Sequence, residues 1–352
     1  MKRIFLLSFI ILMLVGCKDN FDVNDIQSSR KIVVYCFPTV ADTTWINVSL
    51  SLPVSQAGSV EPVNDARIEY LLNDQPLPVT AMGDGLYCVT GRQQPGDRIR
   101  LTVAKDGVEA VSAMTTIPEA VTVKADTVVK VRVFNSYYQD MEDYEQLAAT
   151  FTDDPKATDY YAVRLEQRSY EGGGSIRKGN TTWYLNYFDP ACRQAEWVWE
   201  DSICTWSSIG TESENLLHPT SKIDDAFGFS NDFYQDFYIF NDASLAGGSY
   251  TLHLNAKEYL SPHGGFVFYR RYRCVLYHLS PEFYRFVKSI NDIENNKLAK
   301  AGLSQITPTY TNVRGGAGVV AGYNSCVSNW QPIITGVNEF SDDILYTNDQ
   351  TD

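Results

Sequence analysis

Segments in which every second residue is apolar recur through the chain, and this period of two constrains the fold more than any other feature. From Ile46 to Leu52 the apolar residues alternate with asparagine and serine. The same alternation returns at residues 68–72 and 99–103. It is typical of strands that bury one face in a core and leave the other in solvent. The sequence therefore predicts a mainly β protein.

Turn signals separate these segments. Asp106-Gly107 lies between two apolar runs, which is a strong signal for a tight hairpin, and Asn73-Asp74 and Asp84-Gly85 mark further turns. Short strands with turns every eight to twelve residues are typical of an antiparallel sandwich of immunoglobulin type. We place this immunoglobulin-like β-sandwich at residues 28–117.

A second strand-rich domain with one amphipathic helix is predicted at residues 118–335. Alternation at 161–166 and an aromatic run at 266–279 indicate strands. Ser280 can cap a helix and Pro281 suits its first turn, with the end expected near Asn295. The apolar face of this helix contains Phe283, Phe286, Val287, Ile290 and Ile293.

The N-terminus has the layout of a secretory signal. Lys2 and Arg3 precede about a dozen apolar residues, too few to span a bilayer of ~30 Å. Leu14-Val15-Gly16-Cys17 resembles a bacterial lipobox, in which the cysteine thiol takes the lipid. We predict a signal peptide at 1–16, acylation of Cys17, a tether at 17–27, and anchoring to the membrane through the N-terminal lipid.

Charge and residue inventory exclude several function classes. A formal net charge of −14 repels nucleic acid, so no nucleic-acid partner is expected. Four scattered histidines and the absence of a Cys-x-x-Cys spacing predict no metal centre and no cofactor.

Two acidic segments are expected to be solvated. The first contains Asp140, Glu142, Asp143 and Glu145; it lacks the spacing of a hand-type calcium loop and is expected to form a solvated acidic loop. Residues 336–352, with five acidic and no basic residues, are predicted to be a loose acidic tail.

Sequence signatures of catalysis are missing. The chain has no Gly-x-Ser-x-Gly elbow, no His-Glu-x-x-His helix and no phosphate-binding Gly-x-x-x-x-Gly-Lys loop. Gly172-Gly173-Gly174 followed by Ser175 lacks a strand-to-helix context and is interpreted as a turn. A paired-carboxylate hydrolase stays open as a third hypothesis, but the prediction is a protein that is not an enzyme.

An aromatic insertion at about 168–235 is the best candidate for binding. Its tryptophans are Trp183, Trp197, Trp199 and Trp206. Trp197 and Trp199 would share one face of a strand, where flat indoles suit stacking on sugar rings or burial in a partner's groove. The alternative is that these side chains fill the core of the second domain. Six cysteines remain besides Cys17, which favours disulfides in an oxidising compartment, and Cys192 with Cys204 could brace the hairpin.

Several motifs together give a resemblance that covers nearly the whole chain. They are the lipobox, residues 151–155, Tyr160-Tyr161, residues 240–242, residues 248–250, residues 279–284 at the start of the helix, and residues 312–323. With these motifs the chain is similar to the Bacteroidota lipoproteins grouped as domain of unknown function 4249. The residues after Cys17, 18–22, resemble the tag that exports such lipoproteins to the outer face of the outer membrane. The insertion has no counterpart in this resemblance.

The resemblance implies a surface-exposed, lipid-anchored protein of the outer membrane, associated with a SusC-like TonB-dependent nutrient transporter. It assigns no catalytic residue. The first hypothesis is therefore an accessory subunit that contacts the transporter or holds a glycan or peptide near it. The alternative is an independent carbohydrate-binding lipoprotein that uses the aromatic hairpin.

Overall fold

A computed structural model describes residues 30–52, 60–135, 138–153, 158–178, 181–185, 196–207, 209–211, 213–219, 237–245, 248–257, 266–295 and 308–332. Within these ranges the chain contains 23 strands and one α-helix, so the prediction of a mainly β protein is confirmed. The signal peptide, Cys17, the tether at 17–27 and the acidic tail at 336–352 lie outside the described residues. No helix of the described part is both long and apolar enough to span a bilayer.

Nine strands come from the first part of the chain. They are β1 (Ile32–Cys36), β2 (Thr43–Leu50), β3 (Glu61–Pro62), β4 (Arg67–Leu72), β5 (Gln75–Leu77), β6 (Val79–Gly83), β7 (Leu86–Thr90), β8 (Arg98–Lys105) and β9 (Val108–Thr116).

The remaining strands follow in chain order. They are β10 (Val123–Ala125), β11 (Val129–Asn135), β12 (Asp140–Asp153), β13 (Tyr160–Lys178), β14 (Thr181–Leu185), β15 (Glu196–Ser207), β16 (Ile209–Gly210), β17 (His218–Pro219), β18 (Tyr238–Asn241), β19 (Gly248–Lys257), β20 (Phe266–Leu279), β21 (Ala317–Val320), β22 (Tyr323–Val327) and β23 (Gln331–Pro332). Helix α1 (Pro281–Asn295) lies between β20 and β21.

Two sheets built from the first nine strands enclose one core. One has the order β1-β2-β7-β6, with β3 beside β2, and the other has the order β5-β4-β8-β9. The alternating apolar residues of both sheets meet there; examples are Ile46, Val48, Tyr70, Ile99 and Leu101, all at most 1 % exposed. This order is compatible with an immunoglobulin-like sandwich, which stays a prediction.

The first sheet receives a strand from the far end of the chain. Strand β21 pairs in parallel with β1, with Val33 opposite Ala317 and Cys36 opposite Val320. The domain boundaries predicted from the sequence assign residues 317–320 to the second domain, 118–335. They therefore do not predict that this segment pairs with β1. Gly318 explains the close approach, because a Cβ at this position would lie 2.1 Å from the carbonyl oxygen of Val34.

Helix α1 packs between the two halves of the molecule. Ser280 caps it as predicted, since its Oγ accepts a hydrogen bond from the backbone N–H of Phe283 at 3.3 Å. Its buried face meets Val33 and Tyr35 of β1 on one side and Val275 and Tyr277 of β20 on the other. Strand β1 is therefore buried on both faces, which is why its residues are an unbroken apolar run.

The second β region consists of two sheets around a second core. One sheet has the order β10-β12-β19-β16, with β11 beside β12, and the other has the order β17-β18-β13-β20-β22, with β14 and β15 beside β13 and β23 beside β20. Phe151, Leu147, Tyr161, Leu254 and Leu276 lie in the core between them.

The acidic segment 140–145 belongs to this region and is not a loop. It opens strand β12 and pairs with β11, so that Asp140 faces Asn135 and Glu145 faces Lys130. Asp140 and Glu142 share one face of the strand, and Asp143 and Glu145 share the other. Three of the four pair with an arginine or a lysine, so their charge did not indicate a solvated loop.

Candidate functional site

Three aspartates meet where three strand ends of the second β region converge. Asp153 is the last residue of β12, Asp159 precedes β13, and Asp242 follows β18. The register brings two of them together, because Tyr160 faces Asn241 in the β13–β18 ladder. One oxygen from each carboxylate lies within 4.8 Å of the other two. We call these residues the aspartate cluster.

Backbone groups hold the cluster in place. The N–H of Asp159 donates to Oδ2 of Asp242 at 2.9 Å, and the N–H of Asp242 donates to the carbonyl of Asp159 at 3.2 Å. Asp242 also opens a short 3-10 turn, for which the Asn241 side chain accepts a hydrogen bond from Ala243 N–H. Asp159 and Asp242 therefore each accept a hydrogen bond from the backbone N–H of the other at the end of the β13–β18 ladder.

Tyr161 connects the cluster to the core. Its hydroxyl donates to Oδ1 of Asp153 at 2.7 Å, and its ring stacks on Phe240 and on His278, each with a centroid distance of 5.2 Å. Burial raises the pKa of Tyr161 far above the usual value, and the hydrogen bond to Asp153 and the neighbouring carboxylates act in the same direction. Tyr161 consequently keeps its proton and serves as a fixed donor to the cluster.

His278 bridges the cluster to the connection between the two halves. Its Nε2 lies 3.3 Å from Oδ1 of Asp159, and its Nδ1 lies 2.9 Å from the carbonyl oxygen of Glu119. Both partners are hydrogen-bond acceptors, so each ring nitrogen can donate where it carries a proton. The imidazole thus connects Asp159 of the cluster to the backbone at Glu119.

The chemistry available to the aspartate cluster is that of hard oxygen ligands. Calcium takes six to eight such oxygens, and carboxylates are among those it prefers. Three carboxylates supply part of that shell, while Tyr161, His278 and the backbone already use some of their oxygens. The contacts on these residues describe a polar junction that ties three strand ends together.

None of the three aspartates was predicted from the sequence as a site residue, although the motifs of the family resemblance include or adjoin all three. Residues 151–155, Tyr160-Tyr161 and residues 240–242 each place an aspartate at or next to a strand end. The signal was therefore present in the motifs, but their convergence depends on pairing between strands distant in sequence.

A second polar network lies at the other end of the strands, where β13 and β20 extend beyond the core. Glu145 of β12 pairs with Arg270 of β20, and both side chains are buried. The hydroxyl of Tyr272 donates to Oε2 of Glu145 at 2.7 Å and also lies 3.2 Å from Oε1 of Gln167. The buried charges are thus paired and hydrogen-bonded, as low dielectric surroundings require.

The predicted binding tryptophans fall on strands β14 and β15. We call the strand segments 168–178, 181–185 and 196–207 the aromatic region. Trp183 faces Ile176 in the β13–β14 ladder, and Trp206 faces Glu166 in the β13–β15 ladder. The tryptophans therefore occupy two strands that both pair with β13 in one sheet, and their role as a binding surface stays a prediction.

Glycines occupy the positions opposite two of these tryptophans. Gly174 faces Trp197 and Gly172 faces Trp199, with Gly173 opposite Val198. The three glycines were predicted to form a turn, but they lie inside the long strand β13. Glycine has no side chain, so the backbone register pairs these two positions of β15 with residues that carry none.

The cysteine predictions are tested only in part. Cys192 lies outside the described residues, so its predicted bond to Cys204 in β15 stays a prediction. Cys36, Cys88, Cys274 and Cys326 are free thiols. For these four the expectation of disulfides is wrong. Cys274 and Cys326 come nearest as diagonal cross-strand neighbours, because Cys326 faces Leu276. Diagonal positions lie about 7–8 Å apart, too far for an unstrained bridge.

Comparison with known proteins gives one match. A family model described as "Domain of unknown function (DUF4249)" matches residues 18–327. Among curated proteins no match was found. The matched range includes the aspartate cluster, the aromatic region, helix α1 and strand β21.

Proposed function

The chain belongs to the DUF4249 family, and from this premise we propose that it is a surface-exposed lipoprotein of the outer membrane in a member of the Bacteroidota. In this proposal it acts without enzymatic activity, as an accessory or binding subunit of a SusC-like TonB-dependent nutrient uptake system. It contacts the transporter or holds a glycan or peptide near it.

One observation carries the lipoprotein assignment. The family match begins at residue 18, directly after the cysteine that closes the Leu14–Cys17 motif. This start lies one residue after the N-terminus that lipobox processing would produce, because Cys17 would be the first residue of the mature chain. Two or three acyl chains, at about 0.8 kcal/mol for each buried methylene, would hold such a protein on the membrane almost permanently.

The aromatic region supports a binding role. Trp197 and Trp199 lie two residues apart on β15, so that they share a face of the strand, and each has a glycine as its cross-strand neighbour. Large aromatic side chains contribute much contact area at low cost in conformational entropy, which favours them at interfaces. The region is proposed as the surface that contacts the transporter.

A fractionation experiment tests the anchor. Cys17→Ser removes the proposed acylated thiol, so the protein should leave the membrane fraction and its intact mass should contain no fatty acyl chains. The unchanged protein should remain with the membranes. If Cys17→Ser fractionates with membranes as the unchanged protein does, the lipid anchor is refuted.

A pull-down tests the partner. The tagged, lipidated protein is purified from detergent-solubilised membranes and its companions are identified by mass spectrometry. A TonB-dependent transporter should be enriched with the unchanged protein and depleted with Trp197→Ala/Trp199→Ala. Trp45→Ala is the matched control, since Trp45 is 49 % exposed on the N-terminal sandwich. Recovery of no transporter with the unchanged protein would contradict the proposal.

The second candidate is an independent carbohydrate-binding lipoprotein, favoured by the same pair of tryptophans. Paired indoles on one strand face offer a platform for sugar rings. Electrophoresis in gels that contain polysaccharide should then retard the protein, and Trp197→Ala/Trp199→Ala should abolish the retardation while Trp45→Ala preserves it. Retardation without transporter recovery would favour this candidate over the first.

A further inference from the structure

A groove of about 580 Å³ lies at the side of the N-terminal sandwich, away from the aromatic region. One wall is the outer face of β8 and β9, and the other is the segment 311–314, which precedes β21. Its lining residues are Arg100, Ser112, Ala113, Met114, Thr311, Asn312, Val313 and Arg314. The volume is within the range of small-molecule sites, about 300–1,000 Å³.

The second wall is held rigidly against the first. Ser112 and Arg314 exchange two backbone hydrogen bonds, of 3.2 Å and 2.8 Å. The Asn312 amide donates to the carbonyl of Met114 at 3.0 Å and to that of Val320 at 2.7 Å, and its Oδ1 accepts from Val320 N–H at 3.0 Å. The Asn312 side chain thereby fixes the segment 311–314 to β9 and β21. The groove is formed before any ligand arrives, which lowers the entropic cost of binding.

Each wall contributes one guanidinium group, and no acidic residue lines the groove. Arg100 lies on β8 directly opposite Met114 of β9, so both project from the same face of the sheet. Asp74 already accepts a hydrogen bond from Arg100 at 2.5 Å. Arg314 is exposed and forms no ion pair with another described residue. In a chain with 43 acidic and 29 basic residues, Arg314 is thus a local positive charge at the groove.

The other lining groups narrow the chemistry of the ligand. The hydroxyls of Ser112 and Thr311 can exchange hydrogen bonds with polar groups, and Met114, 56 % exposed, offers an apolar thioether. Planar guanidinium groups bind carboxylates in a bidentate manner. A carboxylate, several hydroxyls and an apolar C–H face occur together in sugar acids.

We propose that this groove binds a uronic acid unit of an acidic saccharide, with its carboxylate on Arg314 and Arg100 and its ring against Met114. The site is separate from the aromatic region and does not depend on the lipid anchor or on a transporter. It gives the protein an affinity for acidic glycans that its overall negative charge would not suggest.

Isothermal titration of the full-length lipidated protein in detergent tests the proposal. The probes are digalacturonate, the neutral disaccharide lactose and inorganic phosphate. Digalacturonate should bind, lactose should not, and phosphate should bind at least tenfold more weakly than digalacturonate. Raising the salt from 0.05 M to 0.5 M should weaken the binding of digalacturonate, because the guanidinium groups are exposed to solvent.

Variants assign the binding to the groove. Arg314→Gln should weaken digalacturonate binding at least tenfold. Arg132→Gln, which removes an exposed arginine of β11 that pairs with Asp143 of β12, should leave it unchanged. Both variants should keep the circular dichroism spectrum and the unfolding midpoint of the unchanged protein, since both side chains are exposed. Equal affinity in Arg314→Gln, equal binding of phosphate, or no binding of digalacturonate at millimolar concentration overturns the proposal.

Discussion

Glu145 on β12 and Arg270 on β20 form a buried ion pair that joins the two sheets of the second β region. The pair lies at the edge of the core, where β13 and β20 extend into the aromatic region. The ion pair therefore joins the core of the second β region to the aromatic region, which is proposed to bind a partner.

Removing one member of this pair should destabilise the fold. Glu145→Gln removes the negative charge that pairs with the buried Arg270 guanidinium, so the free energy of unfolding should fall by about 3 kcal/mol in urea denaturation. Glu145→Leu/Arg270→Met, which replaces both charges with apolar side chains, should lie within about 1 kcal/mol of the unchanged protein. A loss below about 0.5 kcal/mol for Glu145→Gln would show that the pair is solvated.

Tyr161→Phe tests the aspartate cluster. It removes the hydroxyl that donates to Asp153 and leaves a buried carboxylate with one donor fewer, so the free energy of unfolding should fall by about 1–3 kcal/mol. Tyr138→Phe is the matched control, because Tyr138 is 61 % exposed and the change should have almost no effect. Equal urea midpoints for the two variants would contradict a stabilising hydrogen bond between Tyr161 and Asp153.

Gly318→Ala tests the close approach between β1 and β21. Gly318 has a positive φ of +92° and a Cβ would clash with Val34, so the loss should be about 3 kcal/mol or more. Gly107→Ala shares the positive φ, +79°, but a Cβ there meets open space, so its loss should be about 1–2 kcal/mol. The difference between the two unfolding free energies measures the steric part alone, and equal losses would argue against the strand pairing.

Alkaline pH should destabilise the protein through its partly buried tyrosines. Burial raises the pKa of Tyr323 to about 12, and burial together with the hydrogen bond to Glu214 raises that of Tyr250 to about 12. Both values lie above the ordinary 10, so their contribution to stability is complete below pH 10 and is lost as the pH rises towards 12. Absorbance at 295 nm during titration and urea midpoints between pH 9 and 12 measure this. Tyr323→Phe should make the decline shallower; an unchanged slope would exclude Tyr323 as a cause.

Local sequence signals predicted the local structure well. Asn73 and Asp74 adopt positive φ values of 51° and 66°, and the pair Asp84-Gly85 adopts 50° and 73°, as hairpin turns between β4 and β5 and between β6 and β7 require. The Ser280 cap and the apolar face of α1 could be read directly, because capping and helix periodicity depend on residues close in sequence.

Pairings between distant segments could not be read in this way. Residues 317–320 are an ordinary short apolar segment, and nothing local indicates that they pair with β1 almost 300 positions earlier. The aspartate cluster depends in the same way on the ladder between β13 and β18. Acidic residues 140–145 were mistaken for a loop because two of their cationic partners, Lys257 for Glu142 and Arg270 for Glu145, come from strands more than a hundred residues away.

The parallel pairing of β21 with β1 has a consequence for how this protein can be made and handled. During synthesis, the ladder between β1 and β21 can close only after nearly the entire polypeptide has been made. A fragment cut after Thr116 would expose Val33 and Tyr35 to water together with the bare edge of β1, inviting aggregation. Expression designs meant to isolate this half should therefore graft residues 308–322 back onto it.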